Sequence, residues 1–164
     1  MGILSANLIL NTILFWFVLR IYVAPGLPGL EWEAIALPIV LLHSSRHLGL
    51  MFLSAGATYP GLPITFAWPA AIGDFMAALI AAVAAVLIVR RARGRRTLVW
   101  AFNIWGSADL LAAITLATAF DVESLMGPAY WIPAFWVPLL LATHAFLFLV
   151  LVRTRPHPGA PAPR

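Results

Sequence analysis

The sequence contains no cysteine and no lysine. Without cysteine, the chain forms no disulfide bond and offers no thiolate ligand, which excludes c-type haem attachment and iron–sulfur clusters. Without lysine, it has no side-chain amine for a Schiff base, which excludes a covalently bound retinal. Histidine and carboxylate side chains remain as the candidate ligands for a metal or cofactor.

Charged residues are also scarce. They make up 10% of the 164 residues, whereas hydrophobic residues make up 63% and the mean hydropathy is +0.96. These values lie far outside the range of soluble proteins, so we expect the lipid bilayer to be the main partner of the chain. All ten basic residues are arginine, and most of them lie at the ends of apolar segments. The basic pI therefore reflects orientation in a membrane, and we expect no nucleic-acid partner.

Five apolar segments reach the length of about 20 helical residues that a bilayer core requires. They cover about residues 3–23, 32–53, 66–89, 98–120 and 130–152. The sequence therefore predicts an all-α fold, in which residues 1–153 form a single domain, a polytopic transmembrane five-helix bundle. Residues 154–164 are rich in proline and are predicted to be a disordered cytoplasmic tail. A bundle of this size is compatible with a homodimer.

The arginines also predict the orientation of the bundle. Arg20 ends the first segment, and the arginines outside the spans follow the third and fifth segments, which places all of them on one side of a five-span protein. The loops on the opposite side, residues 54–65 and 121–129, contain no arginine. The positive-inside rule then places the N-terminus outside and the C-terminus in the cytoplasm. We expect a multi-pass protein of the cell inner (cytoplasmic) membrane.

Three polar side chains fall within five positions of the second segment, in the stretch LLHSSRHLGL: His43, Arg46 and His47. On an α-helix this i, i+3, i+4 spacing places all three on one face. A charged arginine in the bilayer should point into the bundle or into a wet cavity. We expect its counter-charge to be Asp74 or Asp109, the two acidic residues in the interior of the spans. Such a pair either fixes helix packing or lines a ligand or proton site.

Polar residues of the other spans fall at a similar depth. At about 1.5 Å per helical residue, His144 lies level with His43, and Arg46 and the two aspartates fall within the same slab, about 10 Å deep. Asn103 is about 120° around its helix from Asp109, so these two need not face one cavity. The candidate ligand-binding residues are His43, Arg46, His47, Asp74, Asn103, Asp109 and His144.

Three blocks, PIVLLHSSRHLGLMF, WPAAIGDFMAAL and VWAFNIWGSADLL, resemble a family of small bacterial integral membrane proteins with no assigned activity. The resemblance covers most of the chain and implies the five-span fold, but it transfers no catalytic or binding residue. Size, span count and tryptophan content are also similar to those of the TspO family of porphyrin- and sterol-binding proteins, although none of that family's motif blocks is present.

Four functions remain open on the sequence alone. The first and favoured one is the binding of a hydrophobic small molecule, such as a quinone, isoprenoid or sterol-like molecule, whose polar head contacts His43, Arg46 and His144. The second is the binding of haem b, with His43 and His144 as axial ligands to the iron. The third is an intramembrane enzyme that uses a histidine and an aspartate for acid–base chemistry on a lipophilic substrate. The fourth is a structural or assembly subunit, in which the polar residues serve only for packing.

Overall fold

A computed structural model of the chain describes residues 2–154. Within these residues it is all-helical and contains no β-strand, and the predicted all-α fold with five helices is confirmed. The α-helices are Ile3–Val18 (α1), Trp32–His43 (α2), Ile64–Val89 (α3), Arg95–Ala119 (α4) and Val137–Arg153 (α5). Apart from Thr154, the predicted disordered tail lies outside the described residues.

Three of the helices continue into turns of different geometry. α1 is followed by the π-helical turn Leu19–Val23, and α2 by the 3₁₀ helix Ser44–Leu53. α5 is preceded by the π-helical turn Ile132–Trp136. With these turns included, five helical regions of the described chain are long and apolar enough to cross a membrane, by length and composition: Ile3–Gly26, Trp32–Leu53, Ile64–Val89, Arg95–Ala119 and Gly127–Arg153.

Successive helices run in opposite directions, so the loops meet at two ends. At the end where α1 begins, the Tyr59 amide donates to the Leu125 carbonyl at 3.0 Å. At the other end, Arg95 Nε donates to Glu33 Oε1 at 3.1 Å. We call these the amino-terminal end and the arginine-rich end. The second name refers to the described arginines other than Arg46, which follow α1, lie between α3 and α4, begin α4 or end α5: Arg20, Arg90, Arg91, Arg93, Arg95, Arg96 and Arg153.

Two hydrophobic clusters form the core, one toward each end. The cluster toward the arginine-rich end includes Val40, Phe102 and Leu147, and the cluster toward the amino-terminal end includes Phe66 and Leu140. Buried polar residues separate the two clusters along α4, along α5, and along α2 with the 3₁₀ helix that follows it. Completely buried alanines of α3 let its neighbours approach closely, as is common for small residues between membrane helices.

α1 differs from the other four helices because none of its residues is buried. It packs against α5 and the π-helical turn Ile132–Trp136. One contact between them is polar, because Asn11 Nδ2 donates to the Ala134 carbonyl at 2.8 Å. α1 therefore lies at the edge of the bundle and leaves most of its apolar surface facing outward.

Candidate functional site

The change from α-helix to 3₁₀ helix at Ser44 decides which polar side chains of the second span face inward. The Ser44 hydroxyl donates to the Val40 carbonyl at 2.9 Å, and such side-chain bonds compete with the regular helical ladder. In a 3₁₀ helix, residues three apart lie above one another and residues four apart do not. His43 and Arg46 are accordingly buried, whereas His47 is exposed and contacts the Ser44 carbonyl through Nδ1 at 3.1 Å. The prediction that all three share a face was wrong for His47.

Arg46 lies at the centre of the buried polar residues and is only 1% exposed. Its Nε donates to Asp74 Oδ1 at 2.7 Å, and its Nη2 donates to Asp109 Oδ2 at 2.6 Å. Nη2 also lies 2.7 Å from Asp74 Oδ1. The sequence predicted one aspartate or the other as the counter-charge, and the structure shows both, one from α3 and one from α4.

The third nitrogen of the guanidinium group also has acceptors. Arg46 Nη1 donates to the Gly106 carbonyl at 3.1 Å and lies 3.3 Å from His144 Nε2. Arg46 thus links the second span to α3, α4 and α5 at one level of the bundle. A buried charge is tolerated when it is paired and its donors are satisfied, and Arg46 meets both conditions.

His144 is held between Arg46 and Asn103. The Asn103 amide nitrogen donates to the His144 carbonyl at 3.2 Å, which directs Asn103 Oδ1 toward the imidazole, 2.6 Å from Nδ1. Nδ1 therefore carries the hydrogen, and Nε2 accepts from Arg46. Asn103 and Asp109 serve one hydrogen-bond network despite their different directions on α4, because His144 and Arg46 bridge them.

His43 contacts the network through its ring. Its Nε2 lies 2.9 Å from Thr143 Oγ1, and that hydroxyl donates its single hydrogen to the backbone of α5, so it accepts from Nε2. The ring centroids of His43 and His144 are 4.2 Å apart, which confirms that the two lie at one depth. Among the described residues, His43 Nδ1 has no hydrogen-bond partner. We call this set the polar cluster: His43, Arg46, Asp74, Asn103, Asp109 and His144.

The two histidines do not fit a bis-histidine haem site. Axial imidazoles must lie on opposite faces of the porphyrin, with the iron between their nitrogens. Here the two rings contact each other directly, and the Nε2 atoms of both are already in hydrogen bonds, that of His43 with Thr143 and that of His144 with Arg46. In residues 2–154, no group of three or more histidine and acidic side chains is arranged to hold a metal ion.

Sequence reasoning missed three glycines that make room for the polar cluster. A methyl group at Gly106 would lie 2.6 Å from the His144 ring and 2.8 Å from Arg46 Nη1. One at Gly49 would collide with the Asp74 carboxyl group, and one at Gly73 would collide with Asp109 Oδ1. Each glycine lies one or three positions from a charged residue of the cluster, and that proximity is the signal by which they could have been found.

A cavity of about 450 Å³ adjoins the polar cluster on its amino-terminal side. We call it the amino-terminal cavity. It lies between α1, α3, α4 and the start of α5, and most of its lining is apolar. The apolar side chains include Leu8, Phe52, Phe66, Leu110, Ala113, Ile114, Met126 and Val137. The ionisable side chains that line it are Asp74 at its inner end and Asp121 and Glu123 at its outer end.

Of the seven candidate residues from the sequence, Asp74 is the one that lines this cavity. His43 and His144 are fully buried in the polar cluster, Arg46 lies behind Asp74, and His47 faces outward. The sequence predicted that His43, Arg46 and His144 contact a ligand head group, but none of these three residues lines this cavity. Arg46 does not line the cavity itself, but it holds in place the Asp74 carboxylate, which does.

Comparison with known proteins identifies a family and no characterised relative. No curated protein and no solved structure matches the chain. A family model described as "Domain of unknown function (DUF8737)" matches residues 3–152, which include the whole polar cluster and all five helices except the last residue of α5. The chain therefore belongs to the DUF8737 family.

Proposed function

We propose that this chain is a multi-pass protein of the cell inner membrane that binds a hydrophobic small molecule in the amino-terminal cavity. One observation supports the proposal most directly: an apolar cavity of about 450 Å³ ends at a buried carboxylate of the polar cluster. Ligand pockets typically have volumes of about 300 to 1,000 Å³, apolar walls and a few polar groups that orient the ligand. The cavity has all three properties.

The position of α1 offers a route for a molecule dissolved in the bilayer. α1 packs against α5, whereas α4 lies across the cavity from it. The cavity is lined on one side by Leu8 and Ile9 and on the other by Ile114 and Ala117. We propose that a hydrophobic molecule enters between these apolar side chains of α1 and α4.

The polar cluster gives the cavity a fixed hydrogen-bond acceptor at its inner end. Both contacts of Arg46 with Asp74 go to Oδ1, while Oδ2 lies against Gly49. An ionised carboxylate only accepts hydrogen bonds. A head group with a hydroxyl, as in a sterol-like or isoprenoid alcohol, can donate to it, whereas a quinone offers only acceptors. Among the three ligand classes considered, the alcohols fit the cavity better than quinones.

The experiment that tests this function is native mass spectrometry of the protein purified in a mild detergent. We expect a co-purifying small molecule on the wild-type chain, or binding of an added long-chain alcohol such as farnesol. Ala113→Phe should abolish both, because Ala113 lines the cavity and the larger ring occupies the ligand volume. Ala112→Phe is the matched control, since Ala112 is the adjacent, exposed residue of the same helix.

Two results would contradict the proposal. Equal binding by the Ala113→Phe and Ala112→Phe variants would show that the molecule binds elsewhere. A wild-type chain that carries no small molecule and takes up no added alcohol would leave the polar cluster with a packing role only, as in a structural or assembly subunit.

A further inference from the structure

We infer that the amino-terminal cavity selects hydrophobic molecules with a cationic head, of which a protonated long-chain amine is the simplest example. The inference rests on the proposed function, because it specifies the ligand class of the same cavity. Three independent features carry it: the sign of the charges on the lining, the distribution of arginine between the two ends, and the charge balance of the polar cluster.

All ionisable residues that line the cavity within the described chain are acidic. Asp74 lies at the inner end and is 7% exposed, while Asp121 lies at the outer end and is exposed. Glu123, also at the outer end, is partly engaged, because its Oε1 accepts from the Leu4 amide at 3.0 Å at the start of α1. A cation therefore meets carboxylates at both ends of the cavity and no basic group along the described lining.

The arginines increase this difference between the two ends. Apart from Arg46, every described arginine lies at the arginine-rich end, across the bundle from the cavity opening. The guanidinium group of Arg46 is itself directed to acceptors inside the polar cluster. Surface charges of one sign around a cleft raise the local concentration of ligands of the opposite sign, so Asp121 and Glu123 favour the approach of cations.

The polar cluster has one guanidinium group for two carboxylates. Arg46 contacts Asp74 and Asp109 at 2.7 Å and 2.6 Å. With both carboxylates ionised and both histidines neutral, one negative charge is left without a counter-charge in a buried site. An unbalanced buried charge is costly, so the cluster has to take up either a proton or a cation. Asp74 is the carboxylate that faces the cavity, and a cationic head there would restore neutrality.

The test compares three probes that share one tail: dodecylamine, dodecanol and dodecanoate. Radiolabelled probes are titrated against the full chain in nanodiscs of zwitterionic phosphatidylcholine, so that the charge of the bilayer surface does not select among them, and binding to empty nanodiscs is subtracted. We expect dodecylamine to bind at least about tenfold more tightly than dodecanol and dodecanoate to bind most weakly. Ala113→Phe should abolish the specific binding of all three, and Ala112→Phe should leave it unchanged.

Charge variants measure how much each carboxylate contributes to the preference for dodecylamine, independently of the shape of the cavity. Asp74→Asn should remove most of the preference for dodecylamine over dodecanol, and Asp121→Asn should reduce it by a smaller factor. Asp121 adopts a left-handed backbone conformation that asparagine also tolerates, so this variant keeps the test valid if Asp74→Asn does not fold. Glu31→Gln changes the net charge by the same amount at the opposite end of the bundle and should change no affinity.

The outcomes distinguish this inference from the function on which it depends. Equal affinities for the three probes, all abolished by Ala113→Phe, would overturn the cationic preference, retain the hydrophobic cavity, and assign the missing positive charge to a proton. Binding that is insensitive to Ala113→Phe would overturn the proposed function and the inference together.

Discussion

Removing Arg46 and removing one of its partners have different consequences for charge. Without Arg46, two carboxylates remain close to each other in a buried site with no cation between them. Without one carboxylate, Arg46 and the other form a neutral pair. The polar cluster therefore depends on Arg46, whereas Asp74 and Asp109 can each partly replace the other as its counter-charge.

We predict that Arg46→Met lowers the free energy of unfolding by about 3 to 5 kcal/mol, the usual cost of breaking a buried ion pair from one side. Asp74→Asn should lower it by no more than about 1.5 kcal/mol, because the amide oxygen can still accept from Nε and the remaining pair is neutral. The measurement is unfolding by SDS in mixed micelles, followed by circular dichroism. If Asp74→Asn proves as destabilising as Arg46→Met, both carboxylates must be ionised for the bundle to be stable.

At the scale of single elements, the three glycines mark where helices meet around the polar cluster. Gly49, Gly73 and Gly106 come from the 3₁₀ helix, α3 and α4, and each lies against a side chain of another element. A glycine in the middle of an α-helix normally reduces its stability by about 1 kcal/mol relative to alanine. Glycine is therefore needed at these three positions because the side chains of the polar cluster occupy the space of a methyl group.

We predict that Gly106→Ala destabilises the bundle by about 1 to 3 kcal/mol, although alanine is the better helix former. The new methyl group would lie 2.6 Å from His144 and 2.8 Å from Arg46, so one of these side chains must leave its place. Gly56→Ala is the control, because Gly56 is exposed and has no atom within 4 Å of the new methyl group. The same SDS titration measures both. A Gly106→Ala variant as stable as wild type would show that the cluster can rearrange freely.

The extent to which this architecture could be predicted from sequence differs from element to element. The five helices follow from the length of the apolar segments, and the pairing of Arg46 with aspartate follows from the cost of an isolated charge in a membrane. The direction of His47 did not follow, because it depends on the 3₁₀ geometry of Ser44–Leu53, which the apolar pattern does not distinguish from an α-helix. The amino-terminal cavity did not follow either. Asn11 marks the face of α1 that packs against the turn before α5, but the apolar residues of α1 do not indicate that another face borders a cavity.

At the scale of the whole molecule, the distribution of arginine predicts the orientation in the membrane. With an outside N-terminus, the cavity opens toward the outer half of the bilayer and the arginine-rich end contacts the cytoplasm.

The chain has no cysteine, so a single introduced cysteine reports on accessibility without any background substitution. We predict that Ala55→Cys reacts with a membrane-impermeant maleimide in intact bacterial cells and that Arg93→Cys reacts only after permeabilisation, because both residues are exposed and lie in loops at opposite ends of the bundle. The reverse pattern would show an inverted orientation and would make the cytoplasm the side from which a ligand's polar head is presented. Labelling of both or of neither in intact cells would mean that the two loops share one side of the membrane, which five alternating spans do not allow.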